Sequence, residues 1–317
     1  MMNLLITGGC GFIGSNFVDL VLNQKRDFVN KVVNLDALTY AGTLKNTEEF
    51  EKDDKYVFEK VDICNLQEVQ RVCGEHNITH IVHLAAESHV DNSILDARAF
   101  IDTNIVGTYN LLQVAQQNKL RFHHVSTDEV YGELEDSGKF TENTSYDPRN
   151  PYSASKAASD FLVMAYYHTY DLQATISNCS NNYGPRQHKE KFIPKIISCL
   201  LQGNKIPLYG TGTNIRDWIY VKDHCEGIWD VLAAGIIGET YCIGASCEKR
   251  NIEIIEDICS IMQVVPEESI EYVKDRLGHD YRYAIDSTKI VENLGWTPKT
   301  SFDKGIKETI RWYNEKN

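Results

Sequence analysis

A doubly wound parallel α/β sheet of the Rossmann type, with a smaller mixed α/β domain attached, is the fold the sequence predicts. Three observations predict it. Short runs rich in Val, Ile and Leu alternate with stretches of helical spacing as far as Ser180, the pattern of parallel strands covered on both faces by helices. A glycine-rich turn, "TGGCGFIG", follows the first of those runs directly. Beyond Pro185 the alternation weakens, segments shorten, and turn sequences appear at "YGTGTN" and "LGHD".

The elements can be justified in order. "NLLIT" (3–7) is an apolar run of strand length that the glycines terminate, and "FIGSNFVDLVLNQ" after it has helical spacing. "KVVNLD" (31–36) reads as a second strand and "YVFEKVD" (56–62) as a third, followed by an amphipathic stretch to His76. "HIVHLAA" (80–86) is a fourth, leading into a helical pattern from Asp96 to about Gln117. "FHHVST" supplies a fifth strand, a helix is expected from near Pro151 to Tyr170, and "ATISNCS" (174–180) supplies a sixth. "TYCIG" (240–244), with the helix before it, is expected to return to the main sheet. Residues 1–184, rejoined by about 220–245, are therefore expected to form the dinucleotide-binding domain, and 185–317 mostly the smaller substrate domain. With no disordered linker between them, the cleft where they meet is the default binding site.

Composition narrows the function classes. The 317 residues include 45 acidic and 32 basic side chains, a formal charge of −13. Such a field repels phosphate, which argues against nucleic acid or an anionic membrane as partner. A bound phosphate would need a local basic cluster. No apolar run approaches the ~20 residues of a spanning helix, and the start lacks the marks of a signal peptide. Nine scattered cysteines with no C-x-x-C pair read as reduced thiols in a cytoplasmic protein, without a metal.

Gly8, Gly11 and Gly14 form G-x-x-G-x-x-G between a strand and a helix. Glycines there let the backbone turn tightly and approach a pyrophosphate, which then sits at the helix N-terminus. Phe12 and Ile13 belong to the same turn. Asp36 ends the second strand, followed by Ala37, Leu38 and Thr39. A carboxylate at that point accepts hydrogen bonds from ribose hydroxyls and repels a 2′-phosphate, so NAD is the expected cofactor.

Tyr152 and Lys156 are one helical turn apart and face the same way. A phenol with a pKa of about 10 is a poor base, and the ammonium is expected to lower that value. Thr127, Asp128 and Glu129 follow the fifth strand, at the carboxyl end where ligands bind in open parallel sheets. Taken alone, the segment reads as a helix cap with acids in its first turn. The alternative is chemistry: Thr127 bonds an oxygen being oxidised, and two close carboxyls divide into an acid and a base on adjacent carbons.

The glycine spacing resembles that of the extended short-chain dehydrogenase/reductases, and "STDEVYG" (126–132) resembles the active-site segment of their nucleotide-sugar 4,6-dehydratases, those acting on dTDP-glucose in particular. "ESHVDNSI", "NCSNNYGP", "RDWIYVKDH" and "YVKDRLGHDYRYAID" extend the resemblance over nearly the whole chain. It implies catalysis by Thr127, Asp128, Glu129, Tyr152 and Lys156. It implies further cofactor contacts at Asp62, Ile63, Leu84, Ala85, Ala86, Glu87, Ser88, Thr103 and Asn182. Substrate contacts are implied at Ser88, Thr127, Asn181, Lys191, Phe192, Pro207, Tyr209, Arg216, Asn251, Asp275, Arg276 and His279, with Lys191, Arg216 and Arg276 as the basic cluster for a diphosphate. It further implies a homodimer joined by a four-helix bundle from the 96–117 and 151–170 helices. Cys10, Asn92 and Leu277 depart from the family's usual Ala, Arg and Pro. A 4-epimerase would need only Tyr152, Lys156 and Thr127, and a non-catalytic NAD-binding regulator need not retain Tyr152, Lys156 and both acids.

Overall fold

The computed structural model describes residues 1–275 and 278–316. Among them the main sheet has seven strands: β1 (Met2–Thr7), β2 (Val29–Leu35), β3 (Tyr56–Glu59), β4 (His80–His83), β5 (Arg121–Thr127), β6 (Ala174–Cys179) and β10 (Thr240–Ile243). They lie in the order β10-β6-β5-β4-β1-β2-β3, and every pairing is parallel. The order reverses between β1 and β4, so a crevice opens at the carboxyl ends of those two strands. Five other strands pair outside this sheet. β7 (Asn181–Tyr183), β9 (Ile215–Tyr220) and β11 (Glu248–Arg250) form one small sheet, and β8 (Ile206–Tyr209) pairs with β12 (Ile270–Val273).

Both faces of the main sheet are apolar, because parallel strands are covered on each side. Leu5, Val33, Ile81, Phe122 and Ile176 pack on one side against Val69, Val72, Leu111, Leu112 and Val163 of the helices. Leu4, Ile6, Val32 and Val82 pack on the other against Phe17, Val21, Cys225, Ile228 and Trp229. A third cluster, including Ile193, Ile196, Trp218, Ile255 and Ile310, forms the core around the small sheets.

The third and fourth strands end earlier than the apolar pattern indicates, at Glu59 and His83. After them the backbone turns into the crevice. The expected 96–117 helix is a composite: Arg98–Phe100 is α-helical, Ile101–Gly107 is π-helical, and Thr108–Asn118 is α-helical again. Within the π segment, Asn104 bonds both the N–H (2.8 Å) and C=O (3.0 Å) of Glu87 and also Ser155 Oγ (2.8 Å). It ties the loop after β4 to the helix Pro151–Tyr170. That helix starts with Asn150 and Ser153 capping each other reciprocally and Pro151 in first place, a strong start signal. The start position sets where Tyr152 and Lys156 point.

Candidate active site

A cavity of about 320 Å³ occupies the crevice. The glycine turn forms its floor. A Cβ on Gly8 would lie 2.8 Å from the Ala85 Cα, and one on Gly14 would lie 2.1 Å from the Gly8 carbonyl oxygen. Both contacts are too short for any side chain, and Gly8 also has φ +72°. The helix Phe12–Gln24 begins immediately after, at Gly11, with unpaired first-turn N–H groups suited to an anion. Asp36 stands at the end of β2, where its Oδ2 accepts from Cys10 N (2.9 Å) and its Oδ1 from Leu38 N (2.7 Å). A carboxylate has about four acceptor positions, so two remain for a diol. Burial pushes Asp36 up, and those two N–H bonds oppose the shift. The residues present therefore fit a dinucleotide with a free ribose diol.

Phe12, Ile13, Ala37, Thr39, Asp62, Ile63, Leu84, Ala85, Ala86, Glu87, Ser88, Thr103 and Asn182 all line this cavity. Leu38 does not, and contributes its N–H to Asp36 instead. Thr127, Asp128, Glu129, Tyr152, Lys156, Asn181 and Lys191 line the same space, so all five expected catalytic side chains meet in one place.

The cap reading of residues 127–129 describes the local backbone. Thr127 Oγ1 accepts from Glu129 N (3.3 Å) and caps a 3₁₀ turn, Asp128–Tyr131. Yet Asp128 is only 2 % exposed, which a surface cap would not be. Its Oδ1 receives the Thr127 hydroxyl at 3.3 Å, and among the described residues nothing hydrogen-bonds Oδ2. Burial first, then Glu129 and Asp217, push Asp128 well above the carboxylate range. Glu129 is raised by burial too, but Arg216, Lys191 and the amide of Asn150 (3.5 Å) pull it back. Environment thus divides the two carboxyls, leaving Asp128 the group that stays protonated and Glu129 the readier anion.

One expectation is corrected. Tyr152 is not lowered by its lysine; burial, then Glu129 and Cys179, push it well above the usual phenol value. The Lys156 ammonium is directed at β5, where it donates to Val125 O (2.9 Å) and meets His124 Nε2 at 3.3 Å. Burial brings Lys156 down to about 8, opposed by Asp160 one turn along the helix. Asp160 is itself enclosed, accepting from Ser126 Oγ and Tyr146 OH at 2.9 Å.

The other substrate candidates lie off the cavity lining. Phe192 starts the helix Phe192–Leu201 and stacks on Trp218, centroids 6.2 Å apart. Arg216 on β9 lies over the Tyr283 ring at 4.2 Å and donates to Asp280 O at 2.8 Å. Pro207 and Tyr209 are on β8, and Asn251 N bonds Asn214 O (3.0 Å) at the start of a helix. Asp275 meets His279 at 2.7 Å beside the Tyr209 ring. Arg276 and Leu277 lie outside the described residues. Cys10 is buried against Asn34 (3.2 Å), and Asn92 sits in a short helix capped by His89. Sequence reasoning passed over Gly42, Cys179, Gln187 and His188, which line the cavity, and Asn104. For Gln187 and His188 the neighbouring "NNYGP" was the available signal; Asn104 carried none, since a π segment resembles a helix in sequence.

A parallel sheet with a glycine turn at its switch point and a Tyr–Lys pair beside it defines a Rossmann-type short-chain dehydrogenase/reductase. The family model described as GDP-mannose 4,6 dehydratase matches residues 5–309. A dTDP-glucose 4,6-dehydratase of Haemophilus influenzae is 46 % identical, the match covering 99 % of this chain and 98 % of that protein. The solved dTDP-glucose 4,6-dehydratase DesIV of Streptomyces venezuelae, with NAD bound, superposes with a TM-score of 0.96 at 45 % identity, over 99 % of this chain and 97 % of that one. A UDP-glucose 4-epimerase of Thermus thermophilus gives a TM-score of 0.91 at 28 % identity, over 99 % of each chain. The chain belongs to the dTDP-glucose 4,6-dehydratase family.

Proposed function

We propose that this chain is an NAD-dependent hydro-lyase that converts dTDP-glucose to dTDP-4-keto-6-deoxyglucose. The observation that carries the reading is the pair Asp128 and Glu129, set apart in protonation and facing the same cavity as Tyr152 and Lys156. Bound NAD would supply reversible hydride exchange, drawing on C4 of the glucosyl unit and serving C6. Gly8, Gly11 and Gly14 hold its pyrophosphate, and Asp36 its ribose. Tyr152 takes the proton of the C4 hydroxyl, with Thr127 bonded to the same oxygen and Lys156 lining the same cavity. Ketone formation acidifies C5, and Glu129 removes that proton. Asp128 delivers its proton to the C6 hydroxyl, which leaves as water, and Glu129 then reprotonates C5. One turnover leaves Tyr152 protonated and Asp128 ionised. Thr127, hydrogen-bonded to Asp128 at 3.3 Å and against the Tyr152 hydroxyl, lies on the short way back for that proton.

In this reading 1–184 with 220–245 hold the dinucleotide, and the rest of 185–317 supplies the sugar-nucleotide site. Lys191 and Arg216 supply positive charge for the diphosphate, as does Arg276. The test is product analysis with dTDP-glucose and UDP-glucose in parallel. dTDP-glucose is expected to lose one water with no net reduced cofactor. An unchanged mass with an inverted C4 would identify a 4-epimerase, the reading that the Thermus thermophilus likeness favours.

We also infer a homodimer. Ile101 (46 % exposed), Tyr109 (40 %) and Phe161 (63 %) leave apolar surface on two helical runs that pack together, 98–118 and Pro151–Tyr170. A four-helix bundle across a two-fold axis would bury it. Phe161→Glu is expected to give monomers by analytical ultracentrifugation; an unchanged dimer would exclude this face. No helix among the described residues is long and apolar enough to cross a membrane, and all nine cysteines are free thiols. Both facts support the cytoplasm as its place of action.

A further inference from the structure

Past β7 the chain runs over the cavity as the segment 184–191, whose Gln187, His188 and Lys191 line the site. Something must hold that segment down, and the structure puts the fastening at Arg186. Its φ is +70°, a conformation uncommon for a side-chain-bearing residue. The turn carries the guanidinium across to the other side of the cleft. There Nη1 donates to Ser15 O and to Asp19 Oδ2, both at 3.3 Å, and Nη2 donates to Glu49 Oε1. Ser15 and Asp19 belong to the helix that rises from the glycine turn. Glu49 belongs to the 3₁₀ turn Glu48–Phe50, in the chain that follows Asp36. The guanidinium is enclosed, at 13 % exposed, while Asp19 and Glu49 are 30 % and 57 % exposed, so the Asp19 pair is better shielded than the Glu49 pair.

Neighbouring contacts reinforce the fastening. Asn16 Nδ2 donates to Pro185 O at 3.0 Å, and the Tyr40 ring meets His188 edge-on at 5.8 Å. The segment also has an anchor on its own side, since Tyr313 OH donates to Gln187 O. The two elements that would hold pyrophosphate and ribose are therefore joined to the covering segment by one cation.

We propose that Arg186 is a positioning residue for cofactor retention. It fastens the 184–191 segment over a dinucleotide in the cleft and sets the rate at which that dinucleotide leaves. The inference rests on the NAD-dependent reading above. In that reading the cofactor ends each cycle in its starting oxidation state, so its release serves no step. Arg186 touches neither the acid pair nor Tyr152, and acts only through the backbone it holds.

The experiment uses purified holoenzyme and a chase of bound NAD with isotopically labelled NAD. Arg186→Ala is expected to exchange its NAD at least about tenfold faster than wild type, since such contacts act chiefly on dissociation. Glu49→Gln, outside the cavity, is expected to speed exchange about threefold by removing one of the two carboxylates. Arg186→Lys, a point charge without the fork, is expected to fall between wild type and Arg186→Ala. With saturating NAD the single-turnover rate of Arg186→Ala should stay within about twofold of wild type, because the reacting groups are unmoved. Exchange within twofold of wild type in both Arg186→Ala and Glu49→Gln overturns the proposal. Should Arg186→Ala fail to fold, Glu49→Gln alone decides. Wild-type protein that neither carries nor takes up NAD overturns the NAD-dependent reading, and this one with it.

Discussion

Glu129→Gln is expected to stop the elimination while sparing the first oxidation. The substitution keeps shape and removes basicity. Proton abstraction from C5 should slow by about 10²–10⁴, the usual contribution of a positioned base. In the proposed mechanism, oxidation at C4 belongs to Tyr152. It should even be eased, because Glu129 is the largest charge effect holding that phenol up. Asp128 stays protonated in the variant, since burial outranks Glu129 among the causes of its shift. Mixing the variant holoenzyme with dTDP-glucose should therefore produce the absorbance of reduced nicotinamide at close to the wild-type rate, and the signal should persist. Wild-type enzyme should show it only transiently. Dehydration by Glu129→Gln at the wild-type rate would remove Glu129 from the mechanism.

Tyr152→Phe is expected to abolish the first step. It removes the group that takes the C4 hydroxyl proton, so kcat/KM should fall by about 10²–10⁴, with NAD still bound. The pH profile adds a second readout. Wild-type activity should fall as pH passes through about 8, where Lys156 loses its charge. Asp128 acts in the same direction, since its proton is lost as pH rises and is needed for the leaving hydroxyl. A Tyr152→Phe variant that kept more than about a tenth of the activity would place the base elsewhere.

Much of this was readable from the chain. The alternation of apolar runs and helical spacing placed the strands, and "TGGCGFIG" with Asp36 marked the crevice, because turn geometry and side-chain period are local properties. Tyr152 and Lys156 shared a helix face for the same reason. Thr127 shows where locality ends. A cap and a catalytic segment have the same sequence there, and Thr127 is a cap in fact. Its catalytic promise comes from the burial of Asp128, which depends on β6, β9 and the chain near Asp217.

The direction of the Tyr152 shift was beyond reach in the same way. Spacing put Lys156 on the right face, but Val125 O and His124 across the helix–sheet interface capture its ammonium. Asn104 and Arg186 gave no warning either, since their partners are 17 and more than 130 residues away. Backbone periodicity, glycine turns and caps are set by neighbours along the chain, so the amino-acid order already held the strands, the glycine turn and the residues proposed as reacting groups. Burial, the partner each ion meets and the protonation that follows depend on residues brought together across long stretches of chain. Those properties came into being with the folded molecule, because desolvation and ion pairing act through space.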